Sequence, residues 1–273
     1  MSDYFEKSFE TTGMTDVGTV RKLNEDYFRI DPEVGLLIVA DGMGGHDSGE
    51  KASRLAVESV TDFLYEYDSE GFSDTGDLPE NAQESRAIDG GLDLTSKDRP
   101  EFNALIKAVE TANARIHDEN RTRNYPEGAG IGTTVVGLWH YSTTGRDLAV
   151  FHVGDSRIYR MRKGTLTPMT HDHSLYQEWL DRGSEGDTPK KNIILRALGP
   201  WAETKVEIGR DTAQKDDIYL ICSDGLCGPV SDEEIADILI KTTDLDIACR
   251  TLIDLAKENG STDNITAIMA RCL

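Results

Sequence analysis

The sequence is short of basic residues, cysteine, proline and aromatics, and it has no long apolar run. Lys and Arg number 29 against 50 Asp and Glu, a formal net charge of −21. A chain so acidic repels phosphate backbones and anionic lipid, which excludes nucleic acid and membrane as main partners. No segment approaches the roughly 18 consecutive apolar residues of a membrane span. The first ten residues are polar and acidic rather than leader-like, so a cytoplasmic location is expected. The four cysteines, Cys222, Cys227, Cys249 and Cys272, lack zinc-site spacing and read as reduced, buried thiols. An HExxH helix, an EF-hand loop, a G-x-S-x-G elbow and a cysteine-phosphatase loop are all missing. Gly44, Gly45 and Gly49 superficially resemble a phosphate loop, but Glu50 stands where its lysine is needed.

What is present is a pattern of aspartates at strand ends. Three apolar runs of strand length, 36–40, 149–154 and 218–223, end in Asp41-Gly42, Asp155-Ser156 and Asp224-Gly225. Two acidic sites open strands instead: Glu25-Asp26 before 27–30, and Asp263-Asn264 before 265–270. Any one of these is ordinary turn or cap chemistry. Together on one rim of a β-core they would repel strongly unless cations lay between them, since two unit charges 4 Å apart interact by about 4 kcal/mol near a protein surface. An all-oxygen ligand set favours Mg²⁺ or Mn²⁺ over Zn²⁺.

At 273 residues one domain is expected over 1–273. Short strands are predicted in 8–40, and amphipathic helices over 48–67, opened by an Asp47/Glu50 capping pair, and over 101–121. The segment 68–100, rich in Gly, Ser and Asp and without sustained period, reads as an acidic loop insertion. Strands follow at 132–139, 148–153 and 157–162, with a hairpin turn at Lys163-Gly164. A short helix runs from Ser174 to Arg182. Strands at 204–209 and 217–222 lead to a helix capped by Ser231 and Glu234, a helix over 245–258 ending at Gly260, and a last strand over 265–271. This order lacks βα alternation. It predicts an α+β fold of antiparallel sheets packed on each other, with helices over the outer faces.

Eight motifs occur in order: 18–26 (GTVRKLNED), 40–46 (ADGMGGH), 132–134 (GTT), 152–157 (HVGDSR), 172–174 (DHS), 196–199 (RALG), 223–225 (SDG) and 263–266 (DNIT). The set resembles a bacterial-type member of the metal-dependent serine/threonine protein phosphatase family, the PPM family of type 2C class, over residues 10 to 272 apart from 68–100. The resemblance implies a four-layer α-β-β-α sandwich of two antiparallel sheets flanked by helix pairs, with two metals in a channel at one end.

By position, the resemblance gives Asp26, Asp41, Asp224 and Asp263 as carboxylate ligands of Mn²⁺ or Mg²⁺, and Gly42 as a carbonyl ligand. Glu25 acts through metal-bound water, Asp155 helps to hold a weaker third ion, and Arg21 grips the substrate phosphate. The implied reaction is hydrolysis of phosphoserine and phosphothreonine in proteins by a metal-bridged hydroxide attacking phosphorus in line. His46, five residues after Asp41, is open between protonating the leaving group and simple loop structure. His171 and His173 have H-x-H spacing, for which a loop role is preferred to metal binding. The segment 174–192 resembles a short flap. The implied partners are phosphoproteins, targets of a cognate serine/threonine kinase, and a monomer is expected. Alternatives are a phosphatase of small phosphoesters using the same site, or a catalytically inactive phosphoprotein-binding module.

Overall fold

The computed structural model describes residues 2–44, 48–70, 99–142 and 145–273. In chain order these form α1 (Ser2–Ser8), β1 (Phe9–Asp16), β2 (Asp26–Asp31), β3 (Leu36–Met43), α2 (Gly49–Glu70), α3 (Pro100–Thr122), β4 (Gly132–Thr133), β5 (Val135–His140), β6 (Asp147–Val153), β7 (Arg157–Arg162), β8 (Thr165–Pro168), α4 (Leu175–Asp181), β9 (Glu207–Thr212), β10 (Ile218–Cys222), α5 (Asp224–Cys227), α6 (Asp232–Lys241), α7 (Leu245–Glu258) and β11 (Ile265–Cys272). Every strand pairing is antiparallel. One sheet has the order β1-β11-β10-β7-β8. The other runs β2-β3-β5-β6-β9, with the two-residue β4 also on β3.

Side-chain alternation along the strands builds the layers. On β3, Leu36, Ile38 and Ala40 join the cluster under α2 and α3, while Leu37 and Val39 point between the sheets. On β11, Ile265, Ala267 and Met269 meet α5, α6 and α7, while Ile268, Ala270 and Cys272 enter the central layer. The central strands are therefore apolar on both faces, which is why they read as continuous runs. The α-β-β-α sandwich is present, with one difference in detail. The second outer layer holds the single-turn α5 as well as α6 and α7, and one turn is too short to leave a periodic signal.

Most local signals act as read. Pro100 opens α3 at a position where its missing N–H costs nothing. Lys163 and Gly164 both have positive φ, 52° and 80°, as a two-residue hairpin turn of the primed type requires. Ser231 and Glu234 make the reciprocal capping box. Three expectations shift. The N-terminus carries the short helix α1, which buries Phe5 against Phe9. The strand placed at 204–209 runs over Glu207–Thr212, because the ladder to β6 begins at His152 opposite Glu207. Helix α2 continues to Glu70 and α3 starts at Pro100, so both trim the segment 68–100. Residues 71–98, most of that segment, and Asp47 of the Asp47/Glu50 capping pair lie outside the described residues.

Candidate metal centre

Two connections cross from one sheet to the other at the same end of the sandwich. Residues 17–25 join β1 to β2, and Gly154–Ser156 join β6 to β7. The ends of β3, β10 and β11 reach the same place. The result is an open cleft of about 600 Å³ lined by Arg21, Lys22, Leu23, Glu25, Asp41, Gly42, Met43, Gly44, Asp155, Asn192, Ile194, Asp224 and Asp263. Asp26 lies just beneath, 6% exposed.

Each acidic residue is fixed by its backbone. Asp26 and Asp41 are register partners across β2 and β3. Asp26 Oδ2 accepts from Ser223 Oγ at 2.8 Å and from Thr266 Oγ1 at 2.6 Å, so groups of the other sheet hold it. The Asp41 peptide is held by Thr133 and Thr134: Thr134 Oγ1 accepts from Asp41 N at 3.0 Å, and Thr133 Oγ1 donates to Asp41 O at 2.8 Å. Asp224 is the first residue of α5, immediately after β10. Asn264, buried behind Asp263, accepts from Glu25 N at 2.8 Å and donates to the carbonyls of Val17 and Leu23 at 3.0 and 2.9 Å. Two glycines permit this convergence. A Cβ on Gly42 would lie 2.2 Å from Gly49 O and 2.5 Å from Glu25 O, and one on Gly225 would lie 1.9 Å from Asn264 O.

The electrostatics are adverse without a counter-charge. Burial, reinforced by the Asp224 and Asp263 charges, pushes Asp26 up to about 7. Asp41 is raised well above the usual carboxylate range by burial, with Asp26, Asp224 and Asp263 adding to it. Burial and the Asp224 charge push Asp155 up to about 7. Asp224 and Glu25 are also raised, each chiefly by burial. One carboxylate oxygen of each of Asp26, Asp155 and Asp224 is buried with no hydrogen-bond partner. Leaving such an oxygen unsatisfied costs on the order of 1–3 kcal/mol, more when it is charged. Three orphaned oxygens around one cleft are what a hard divalent cation would satisfy, so the residues fit Mg²⁺ or Mn²⁺.

Arg21 lies at the mouth, half-exposed, with Nη2 2.7 Å from Asp263 Oδ2 and Nη1 3.8 Å from Glu25 Oε2. Glu25 Oε1 accepts from Gly49 N at 3.1 Å, at the start of α2. The cleft thus brings together Arg21, Glu25, Asp41, Gly42, Asp155, Asp224 and Asp263, with Asp26 below; His46 lies outside the described residues. The H-x-H pair diverges. His171 meets Asp181 on α4 at 2.8 Å, and His173 turns inward to Glu207 at 2.9 Å. Sequence reasoning assigned no role to Ser223, Thr266, Thr134 or Asn264, although each is a short polar residue in a motif that also carries a site residue. In the cleft wall, Lys22 and Leu23 lie in the 18–26 motif and Asn192 ends the flap-like segment without a role assigned to any of them, and Ile194 left no signal at all.

Comparison with known proteins agrees with this geometry. The family model for protein phosphatase 2C matches residues 19–245. The serine/threonine protein phosphatase PstP of Mycobacterium tuberculosis is 33% identical over 261 residues, 94% of this chain and 43% of that protein. The chain therefore spans less than half the length of that relative. The serine/threonine phosphatase Stp of Listeria welshimeri is 32% identical over 263 residues, 93% of this chain and 92% of that protein. Among solved structures, the catalytic domain of PstP in complex with two manganese ions superposes with a TM-score of 0.74 at 32% identity, covering 97% of this chain and 99% of that one. PppA of Pseudomonas aeruginosa superposes with a TM-score of 0.76 at 30% identity, covering 97% and 98%. With the family model matched over most of its length, the chain belongs to the protein phosphatase 2C family.

Proposed function

We propose that this chain hydrolyses phosphoserine and phosphothreonine in proteins, using divalent manganese or magnesium held in the carboxylate cleft. The observation that carries the reading is the set of orphaned oxygens on Asp26, Asp155 and Asp224, which supports a cation site in the cleft. Asp26, Asp41, the Gly42 carbonyl, Asp224 and Asp263 are the residues that would hold two ions, with Glu25 acting through bound water. Asp155 would help to hold a weaker third. Bound there, such cations lower the pKa of water and draw charge from phosphoryl oxygens. The bound manganese of the PstP catalytic domain supports the choice of metal.

The chain's own residues do the rest. Arg21 presents a guanidinium at the cleft mouth, where a phosphoryl group can exchange for one of its carboxylate partners in a charge-assisted pair. Ser223 and Thr266 fix the Asp26 carboxylate, and Thr134 and Thr133 fix the Asp41 peptide, so little reorganisation is needed when charge develops on the substrate. His46 is a candidate proton donor to the departing oxygen. We read 1–273 as one phosphatase unit with an acidic insertion at 68–100 and a flap at 174–192. Its partners are phosphoproteins made by a cognate serine/threonine kinase, and it acts in the cytoplasm as a monomer. No helix among the described residues is long and apolar enough to cross a membrane.

The test compares Mn²⁺-dependent turnover of phosphoserine and phosphothreonine peptides with that of small phosphorylated metabolites. Faster turnover of the peptides, lost with chelator, is expected. Preference for the metabolites would assign the same cleft to small phosphoesters, and inactivity on both would make the chain a binding module.

A further inference from the structure

Behind the Asp155 turn lies a second cluster of chemistry-bearing side chains, formed by His152, His173 and Glu207, whose donor atoms lie within 4.8 Å of one another. Such a group could hold a metal. Its hydrogen bonds say otherwise. His173 Nδ1 accepts from the backbone N–H of Gly154 at 3.1 Å, so the ring proton sits on Nε2, 2.9 Å from Glu207 Oε1. Arg196 Nη1 donates to the same Oε1 at 3.0 Å and lies 3.1 Å from His173 Nε2, so its guanidinium takes the place a cation would need. His152 Nε2 faces the His171 carbonyl at 2.8 Å, which can only accept, so that nitrogen is protonated too. The two imidazoles stack with centroids 4.5 Å apart and planes 15° from parallel. Both are buried.

His173 grips the peptide of Gly154 from both sides. Its ring accepts from Gly154 N–H, and its own N–H donates to Gly154 O at 2.9 Å. Gly154 has φ +116°, and a Cβ there would lie 2.6 Å from Thr134 Cγ2, so this peptide has one arrangement available. The next residue is Asp155. From the other side, His173 O accepts from Leu195 N at 2.7 Å, and Ser174 bridges Ile194, a residue of the cleft wall. One buried histidine therefore joins the turn that carries Asp155 to the segment 193–195, of which Ile194 lines the cleft.

We propose that His173, locked in one tautomer by the Gly154 N–H and Glu207, is a positioning residue that sets the Asp155 carboxylate for the weakest of the bound cations, and that it is not itself a ligand. The inference rests on the phosphatase reading above for the role of Asp155. Outer partners that orient a ligand typically change metal affinity or activity about 10–100-fold when removed.

The experiment measures Mn²⁺ binding directly by equilibrium dialysis, alongside phosphopeptide kcat and KM, in His173→Ala, His173→Asn and Asp155→Ala. Leu252→Ala, a core truncation in α7, serves as a destabilised control. In His173→Ala the weakest Mn²⁺ site should lose about tenfold in affinity and kcat should fall by a similar factor, while the tighter sites remain. His173→Asn keeps an acceptor where Nδ1 stood and should recover most of both. If His173→Ala does not fold, Glu207→Ala carries the same test, since it removes the acceptor that fixes the ring. The proposal is overturned if His173→Ala binds Mn²⁺ like wild type and loses no more activity than Leu252→Ala does for an equal drop in Tm. It is also overturned if His173→Asn rescues neither quantity. Full activity in Asp155→Ala would instead overturn the catalytic reading of Asp155, which separates the two failures.

Discussion

Asp26 and Asp41 face each other directly across the β2–β3 ladder, a buried and a half-buried carboxylate in register on neighbouring strands. Like charges placed opposite in a sheet destabilise it, so this pair is a cost to the fold that a bound cation would remove. Asp41→Asn or Asp224→Asn should lower phosphopeptide turnover at least about 100-fold, as should chelation of the wild type, because the reacting water depends on the metals. The same Asp41→Asn protein without metal should melt higher than metal-free wild type, since an amide carries no charge to bury. Near-normal turnover in either variant would remove the metal assignment, and a lower metal-free Tm would remove the argument from repulsion.

Arg21 is tied to Asp263 at 2.7 Å yet remains half-exposed. A half-exposed ion pair contributes little stability, about 0–1 kcal/mol, so its removal should leave Tm nearly unchanged. If its guanidinium meets the phosphoryl oxygens, Arg21→Ala should raise KM severalfold and lower kcat about tenfold, because the contact strengthens as charge shifts in the transition state. Steady-state kinetics at saturating Mn²⁺ decide this. Unchanged kcat and KM would leave Arg21 as a surface ion pair.

The sandwich was legible because its central strands are apolar on both faces and its longer helices carry a full periodic stripe. Leu36 to Ala40 and Ile265 to Ala270 could hardly be anything but buried strands. Helices α1 and α5 were not legible: α5 is a single turn of four residues, and α1, as short as α4, has no glycine after it like the Gly183 that follows α4. The aspartates were legible as strand-end residues, and their order carried the family resemblance. What holds them was not. Ser223 and Thr266 reach Asp26 across the gap between sheets, from 197 and 240 residues away in sequence. Only the packing of one sheet on the other brings them there. His173 is a similar case, read as a loop residue because the acceptor and donor that define it, Glu207 and Gly154, come from distant strands.

The acidic segment between α2 and α3 gives a prediction about folding. Helices α2 and α3 share one apolar cluster over β3 and β5, which the segment's own composition does little to supply. Replacing 72–97 with a short Gly/Ser bridge should leave Tm and small-phosphoester turnover close to wild type, because loop-closure entropy changes by only about 0.6 kcal/mol per doubling of length. Differential scanning calorimetry of the shortened chain checks this. A fall of ten degrees or more would mean that the segment packs on the sandwich.

The raised carboxyls also predict how metal and pH together set stability. Asp26 and Asp155 titrate near 7 in the folded, metal-free protein, against 3.8 as their ordinary value. The folded state thus holds protons that the unfolded chain has already released, and stability falls as pH rises towards and through the folded values. His152 acts in the opposite sense. Burial lowers it to about 4, so the unfolded chain takes up that proton below about 6.5 and stability falls towards acid. His140, also lowered by burial, acts in the same sense as His152, and as both effects fade above the ordinary histidine value the raised carboxyls dominate from pH 6.5 to 8. Groups such as Glu207, held near 2 by His173 and its neighbours against the effect of burial, do not titrate there. In chelator, urea midpoints should decline from pH 6.5 to 8. With saturating Mn²⁺ the decline should vanish, because bound cations keep the carboxylates ionised and metal binding releases the protons that the cleft had held. Calorimetric titration of Mn²⁺ at pH 6.5 in buffers of different ionisation enthalpy should show that proton release, and it should shrink by pH 8. A metal-free protein whose stability is flat or rising across this window would mean that the cleft carboxylates are already ionised without a cation, and that something other than metal balances their charge.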